Sequence, residues 1–291
     1  MKTIAGILIS LRPRQWTKNF FVFSALIFSR NLFNINMLLT SIAAFFLFCM
    51  ISGAVYLLND IVDREKDRCH PEKSKRPIAA GIISVKTAAS VLLLLTLMTL
   101  AGAWFLGLPF FLLITAYFIL QTAYSFSLKH VVILDVFTIT VGFTIRVYAG
   151  AQAIGLGISS WLAICTFLLA LFLALNKRRH ELIILETDAG KHRKVLADYS
   201  TYFLDQMISV VTASTVVAYA LYTLSEQTTN KFHTTHLVFT VPFVIYGIFR
   251  YLYLVHMKNR GGSPEMMLIT DLPLLIDIML WIVTAGIIIY R

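Results

Sequence analysis

Apolar runs close to the ~20 residues a helix needs to cross a bilayer recur along this chain, at 15–30, 37–58, 87–106, 108–127, 134–154, 160–175, 205–224, 237–254 and 273–290. Inside hydrocarbon every backbone N–H and C=O must be satisfied within its own segment, which leaves a helical bundle as the natural outcome. Composition agrees, with 58% hydrophobic and 14% charged residues against roughly 25% charged in soluble domains. The expectation is an all-α integral membrane protein of about nine spans. The first and sixth runs are short, and Pro109, Pro242 and Pro273 sit at or near span starts, where a missing N–H costs little. With no internal repeat, low-complexity segment or long linker, residues 1–291 read as one polytopic domain.

The net charge of +10 has a topological explanation that makes nucleic-acid binding unnecessary. Lys2, Arg12, Arg14 and Lys18 precede the first run, and Arg64, Lys66, Arg68, Lys73, Lys75, Arg76 and Lys86 follow the second. Lys129 follows the fourth, Lys177, Arg178, Arg179, Lys191, Arg193 and Lys194 the sixth, and Lys258 and Arg260 the eighth. The other side receives only Arg30, Lys231 and Arg291. This asymmetry places the N-terminus and the charged loops in the cytoplasm and the C-terminus outside. The opening "MKTIAGILISLRPRQW" is too interrupted for a secretory signal and reads as an amphipathic lead-in at the interface. Cys49, Cys69 and Cys165 form no spaced pair, and the histidines show no metal-binding spacing.

Chemistry concentrates where the second run ends, in "YLLNDIVDREKDRCHPEKSKRPIAAG", residues 56–81. Asn59, Asp60, Asp63 and Asp67 have a helical spacing that confines them to an arc of roughly 100° over a rise of about 12 Å. Acidic residues continuing directly from a span are costly and seldom idle. Carboxylate and amide oxygens in such a row suit Mg²⁺, which keeps several waters and bridges to phosphates. Lys73, Lys75 and Arg76 follow as phosphate-binding cations, and Pro77 and Gly81 shape a turn before the next run. Carboxylates for a metal followed by cations for a leaving group describe a clamp for a Mg²⁺-diphosphate at the membrane surface. The plain alternative is a solvated helix end studded with ion pairs.

The segment "NDIVDREKDRCHPEKSKRPIAAG" resembles the first Asp-rich motif of the UbiA superfamily, intramembrane transferases that hold a Mg²⁺-bound diphosphate donor in a bundle of about nine helices. Members that prenylate aromatic rings carry a second Asp-rich motif at the end of the sixth helix. Here that place reads "LALNKRRHELIILE", basic at its start, with Glu181 and Glu186 as the remaining acids. Lys177 and Arg178 lie one helical turn from Glu181, close enough for an ion pair to orient them. A basic patch suits an anionic acceptor better than a second metal.

That departure, with "LRPRQWTKN" (11–19), "YSFSLKH" (124–130), "IRVYAGA" (145–151) and "GGSPEMMLITD" (261–271), is similar to the decaprenyl-phosphate phosphoribosyltransferase branch of the superfamily. The resemblance implies a bacterial inner-membrane enzyme whose active site faces the cytoplasm. It would transfer 5-phosphoribose from cytosolic phosphoribosyl diphosphate to a polyprenyl phosphate in the bilayer, with release of diphosphate. It assigns Asn59, Asp60, Asp63 and Asp67 to Mg²⁺ and makes Asp60, Asp63, Lys73 and Arg76 the catalytic set. Lys18, Lys73, Lys75, Arg76, Tyr124, Lys129, Arg146, Lys177, Arg178 and Glu181 become substrate-binding candidates. Several have plain alternatives. Arg12, Arg14 and Lys18 either grip a phosphate or enforce topology; Arg146, inside the fifth run, either meets substrate or pairs with a buried acid; Asp135 suits a helix N-terminus. The rival functions are ordinary prenyl transfer and, more distantly, anion transport, which should bring repeats and broken helices.

Overall fold

A computed structural model describes residues 2–186, 194–258, 261–262 and 264–291. Lys191, Arg193 and Arg260 of the charge pattern lie outside the described residues. The described part is helical throughout, without strands, as the apolar runs require. It forms two compact units, Met1–Ile158 and Ser159–Arg291.

In the first unit, α1 (Lys2–Ser10) leads into a 3₁₀ segment (Pro13–Phe23) and α2 (Ser24–Phe28). There follow α3 (Ile35–Val62), α4 (Arg64–Arg68), α5 (Val85–Phe105), α6 (Leu108–Phe126) and α7 (Leu134–Ala153). Helix α3 is the pillar, packing against the 3₁₀ segment, α5, α6 and α7. Its apolar face makes the core with theirs: Ala44, Phe48, Ile51 and Val55 meet Val22, Ala103, Phe110, Ile114, Tyr117 and Ala149. Gly150 is required where α7 crosses the 3₁₀ segment, because the Val22 carbonyl occupies the space a Cβ would need. A second cluster, Leu57, Ile78, Ile83 and Ala88, anchors the 77–83 turn to the end of α3. Gly81 turns there at φ +75°, a value glycine adopts without strain, and Ser84 caps α5 by accepting from the Thr87 amide at 3.0 Å.

The second unit contains α8 (Ser160–Glu186), α9 (Thr201–Leu224), α10 (Glu226–Phe232), α11 (Val241–Met257), α12 (Pro264–Thr270) and α13 (Leu272–Tyr290). Helix α8 lies along α9, and α11 packs against α9 and α13. The Asp271 side chain caps α13 at Leu274 and receives both arms of Arg250, at 3.0 and 2.9 Å.

Eight helical segments among the described residues are long and apolar enough to cross a membrane, against about nine expected. The difference is the first run: 13–28 is helical, but mostly as a 3₁₀ helix followed by one short α-helix. Conversely, the sixth run extends well beyond residue 175, through Glu186. Lys177, Arg178, Arg179 and Glu181 are good helix formers, so the helix outlasts its hydrophobicity.

Candidate functional site

The acidic row sits where α3 gives way to α4. Asp63 is the junction residue, yet the ladder runs through it: the Asp63 amide donates to the Asn59 carbonyl at 2.9 Å, and the Asp67 amide to the Asp63 carbonyl at 2.8 Å. The row therefore keeps its helical spacing. Asp60 and Asp67 are buried, at 2% and 4% exposure, while Asn59 and Asp63 are half-buried.

Each carboxylate meets a cation. Arg76 Nη1 donates to Asp67 Oδ2 at 2.7 Å and to Asp60 Oδ1 at 3.1 Å, so two acids converge on one positive centre. Arg12 Nη2 donates to the same Asp60 oxygen at 2.5 Å. Lys129, itself 4% exposed, donates to both oxygens of Asp63 at 2.7 and 2.8 Å. The loop that carries Arg76 is fixed locally. His70 Nδ1 accepts the amides of Glu72 and Lys73 at 3.1 and 3.3 Å, and Arg68 donates to the Ala79 carbonyl at 3.3 Å. Lys73 and Lys75 occupy a short 3₁₀ turn, half-buried and exposed respectively.

No three His, Cys, Asp or Glu side chains among the described residues are grouped closely enough to hold an ion by themselves. Mg²⁺ does not need such a cage, since it binds through one or two carboxylates, waters and substrate phosphates. The place where Arg76 joins Asp60 and Asp67 is already built to hold positive charge between two buried acids. The Asp60 and Asp67 oxygens, which already share one cation, thus suit an ion that arrives with a phosphorylated ligand.

Three further candidates lie in the same unit. Lys18 is half-buried on the 3₁₀ segment, and Tyr124 is buried near the end of α6. Arg146, 5% exposed, is held by neutral groups. Its Nε donates to Asn19 Oδ1 at 2.8 Å, Nη1 to the Gly142 carbonyl at 2.8 Å, and Nη2 to the Tyr117 hydroxyl at 2.8 Å and Ser52 Oγ at 3.5 Å. Its guanidinium also lies 4.7 Å from the Tyr117 ring centre and 5.2 Å from that of Phe143. The buried acid weighed as its partner is not among these contacts; amide, hydroxyl and ring groups take that place.

In the second unit, Arg178 is buried on α8 and donates to Glu181 Oε2 at 2.5 Å, the one-turn pairing expected of it. Lys177 is half-buried beside it. Arg12, for which phosphate binding and topology stood as alternatives, reaches a buried carboxylate from a left-handed backbone (φ 50°), with its guanidinium 4.9 Å from the Tyr56 ring centre. Asn19, which ties Arg146 to the 3₁₀ segment, was not recognised as a contact at all; only its place in "LRPRQWTKN" hinted at it.

The model of the UbiA prenyltransferase family matches residues 19–287. The decaprenyl-phosphate phosphoribosyltransferase of Mycolicibacterium smegmatis is 33% identical, over 99% of this chain and 93% of its own length. Its namesake from Corynebacterium glutamicum is also 33% identical, over 95% of this chain and 84% of its own. Among solved structures, a UbiA homolog from Archaeoglobus fulgidus bound to GPP and Mg²⁺ superposes with a TM-score of 0.71 at 20% identity, covering 98% of this chain and 100% of that one.

Proposed function

The chain belongs to the UbiA prenyltransferase family, and from that premise we propose that it transfers 5-phosphoribose from phosphoribosyl diphosphate to a polyprenyl phosphate, releasing diphosphate. The observation that carries this reading is the likeness to decaprenyl-phosphate phosphoribosyltransferases over nearly the whole chain. The basic start of the 177–181 stretch, where Arg178 is buried and oriented by Glu181, supports the same choice, because it offers an anionic acceptor a partner.

The polar groups support a division of labour. Asn59, Asp60, Asp63 and Asp67 would hold Mg²⁺, which supplies neutralisation of the donor's diphosphate. Lys73 and Arg76 stabilise negative charge on the departing diphosphate as the ribose C1–O bond breaks and its electron pair leaves with oxygen. Lys18, Lys75, Tyr124 and Lys129 complete the donor side, and Arg146 holds the helices that carry it. Lys177 and Arg178 bind the acceptor phosphate, whose oxygen forms the new bond to C1. That oxygen is already anionic near neutral pH, so no general base is required.

The site opens to the cytoplasm in this proposal, with one UbiA-like domain over residues 1–291 in a bacterial inner membrane. The family match, which runs through both compact units, supports the single domain. Segment 13–28 serves as a ninth crossing that puts the C-terminus outside.

Prenyl transfer is the rival reading, since the solved relative carries a prenyl diphosphate. Donor choice separates the two. With polyprenyl phosphate and Mg²⁺ present, diphosphate should be released from phosphoribosyl diphosphate and not from geranyl diphosphate; the reverse preference would assign prenyl transfer.

A further inference from the structure

Within the second unit a groove of about 760 Å³ runs between α9 and α11. Its α9 wall carries Ile208, Ser209, Thr212, Ala213 and Val216, and α11 contributes Phe249, Leu252 and Tyr253. The rim is open, with Val217, Phe249 and Tyr253 at 56%, 60% and 41% exposure. Both helices have the length and hydropathy of membrane spans. An apolar trough of this kind cannot stay empty at tolerable cost, because its walls would forfeit their contacts, and in a bilayer the material that fills it is hydrocarbon.

One end of the trough is polar. Arg179 donates to Asp205 at 2.5 and 3.3 Å, and His256 Nε2 lies 3.4 Å from the same carboxylate. Lys258 Nζ is 5.9 Å from the ring centre of Tyr253, which lines the groove. Among the described residues, Arg179 and Lys258 lie at this end with Asp205, two cations to one acid. Basic pockets between helices at a membrane surface are suited to anionic head groups.

Length decides between lipids. From Asp205 to Val217 the α9 wall spans about 18 Å at ~1.5 Å per residue, close to the ~15 Å of one leaflet of a ~30 Å core. We propose that this groove is a binding site for an anionic phospholipid of the bilayer, with one acyl chain along Ser209–Val217 and the phosphate at His256, Lys258 and Arg179. A long polyprenyl chain would overrun it. Arg179 directly follows Lys177 and Arg178, the residues assigned to the acceptor phosphate, so occupancy of the groove is read without turnover.

Native mass spectrometry on the purified chain, equilibrated with equal phosphatidylglycerol and phosphatidylcholine, tests the assignment. The wild type should retain phosphatidylglycerol at least ten-fold over phosphatidylcholine. Ala213→Trp, which fills the trough, should lose that bound lipid. Lys258→Gln should retain lipid with the preference reduced three-fold or more. Because Lys258 is exposed at a helix end, this variant keeps the test alive if Ala213→Trp fails to fold. Unchanged retention and preference in the folded variants would overturn the site. So would displacement of phosphatidylglycerol by an equal concentration of polyprenyl phosphate, or recovery of lipid-free dimers in which a second copy fills the groove.

Discussion

Lys129 holds both carboxylate oxygens of Asp63 across 66 residues of sequence, at 2.7 and 2.8 Å. This contact fastens the turn between α6 and α7 to the junction of α3 and α4. Breaking a buried pair costs more than breaking an exposed one; with Lys129 almost wholly covered and Asp63 at 23% side-chain exposure, Lys129→Met should cost about 1–3 kcal/mol. Thermal unfolding of the single variants and of Lys129→Met with Asp63→Asn measures the coupling. The double variant should lose clearly less than the sum of the singles; simple additivity would show the contact to be energetically idle.

Arg76 serves Asp60 and Asp67 with one nitrogen while its fork remains available for a phosphate. Arg76→Lys keeps the charge and loses the fork. Transfer should fall roughly ten-fold to a hundred-fold, in line with about 1.5–3 kcal/mol for a charge-assisted bond, and Asp60→Ala should abolish it while the protein still inserts. Steady-state rates at limiting Mg²⁺ check both. Near-normal turnover in Asp60→Ala would remove the metal role.

Arg146 gathers Asn19, Ser52, Tyr117 and the Gly142 carbonyl around one guanidinium. A lysine cannot reproduce that fan of donors. Arg146→Lys and Arg146→Met should therefore be destabilised alike, by roughly 1–3 kcal/mol for the polar groups left unpaired. Unfolding in detergent gives the comparison, and full rescue by lysine would show that charge alone matters there.

Cys69 is exposed beside the acidic row, whereas Cys49 is buried. A membrane-impermeant thiol reagent should label Cys69 from the cytoplasmic side, more slowly when phosphoribosyl diphosphate and Mg²⁺ are present. Labelling only from the opposite face would invert the topology.

Much of this was legible in the sequence, for identifiable reasons. A membrane span that runs into Asn59, Asp60, Asp63 and Asp67 is costly enough to single out that helix end, and Pro77 and Gly81 marked the turn that follows. The partners of those acids were hidden, since Arg12, Arg76 and Lys129 carry the same charge as every residue that sets topology, and charge alone does not say which cation reaches which carboxylate. The surroundings of Arg146 were hidden too: Asn19, Ser52 and Tyr117 come from three separate segments and have no motif in common. The apolar run of 15–30 indicated helix but not its 3₁₀ form, which depends on how the segment packs against α3 and α7.

The acceptor side is tested at Lys177 and Arg178. Alanine at each should cut acceptor efficiency ten-fold to a hundred-fold and leave Mg²⁺-dependent binding of phosphoribosyl diphosphate largely intact. If the basic run only sets orientation, single substitutions would be nearly silent among so many cations.

The most direct test of the central claim is the mass of the lipid product after purified protein is incubated with Mg²⁺, phosphoribosyl diphosphate and a polyprenyl phosphate. The expected product is a polyprenyl-phosphoryl phosphoribose, formed in step with released diphosphate and absent from Asp60→Ala. An unmodified lipid, with prenyl transfer from a prenyl diphosphate under the same conditions, would contradict it.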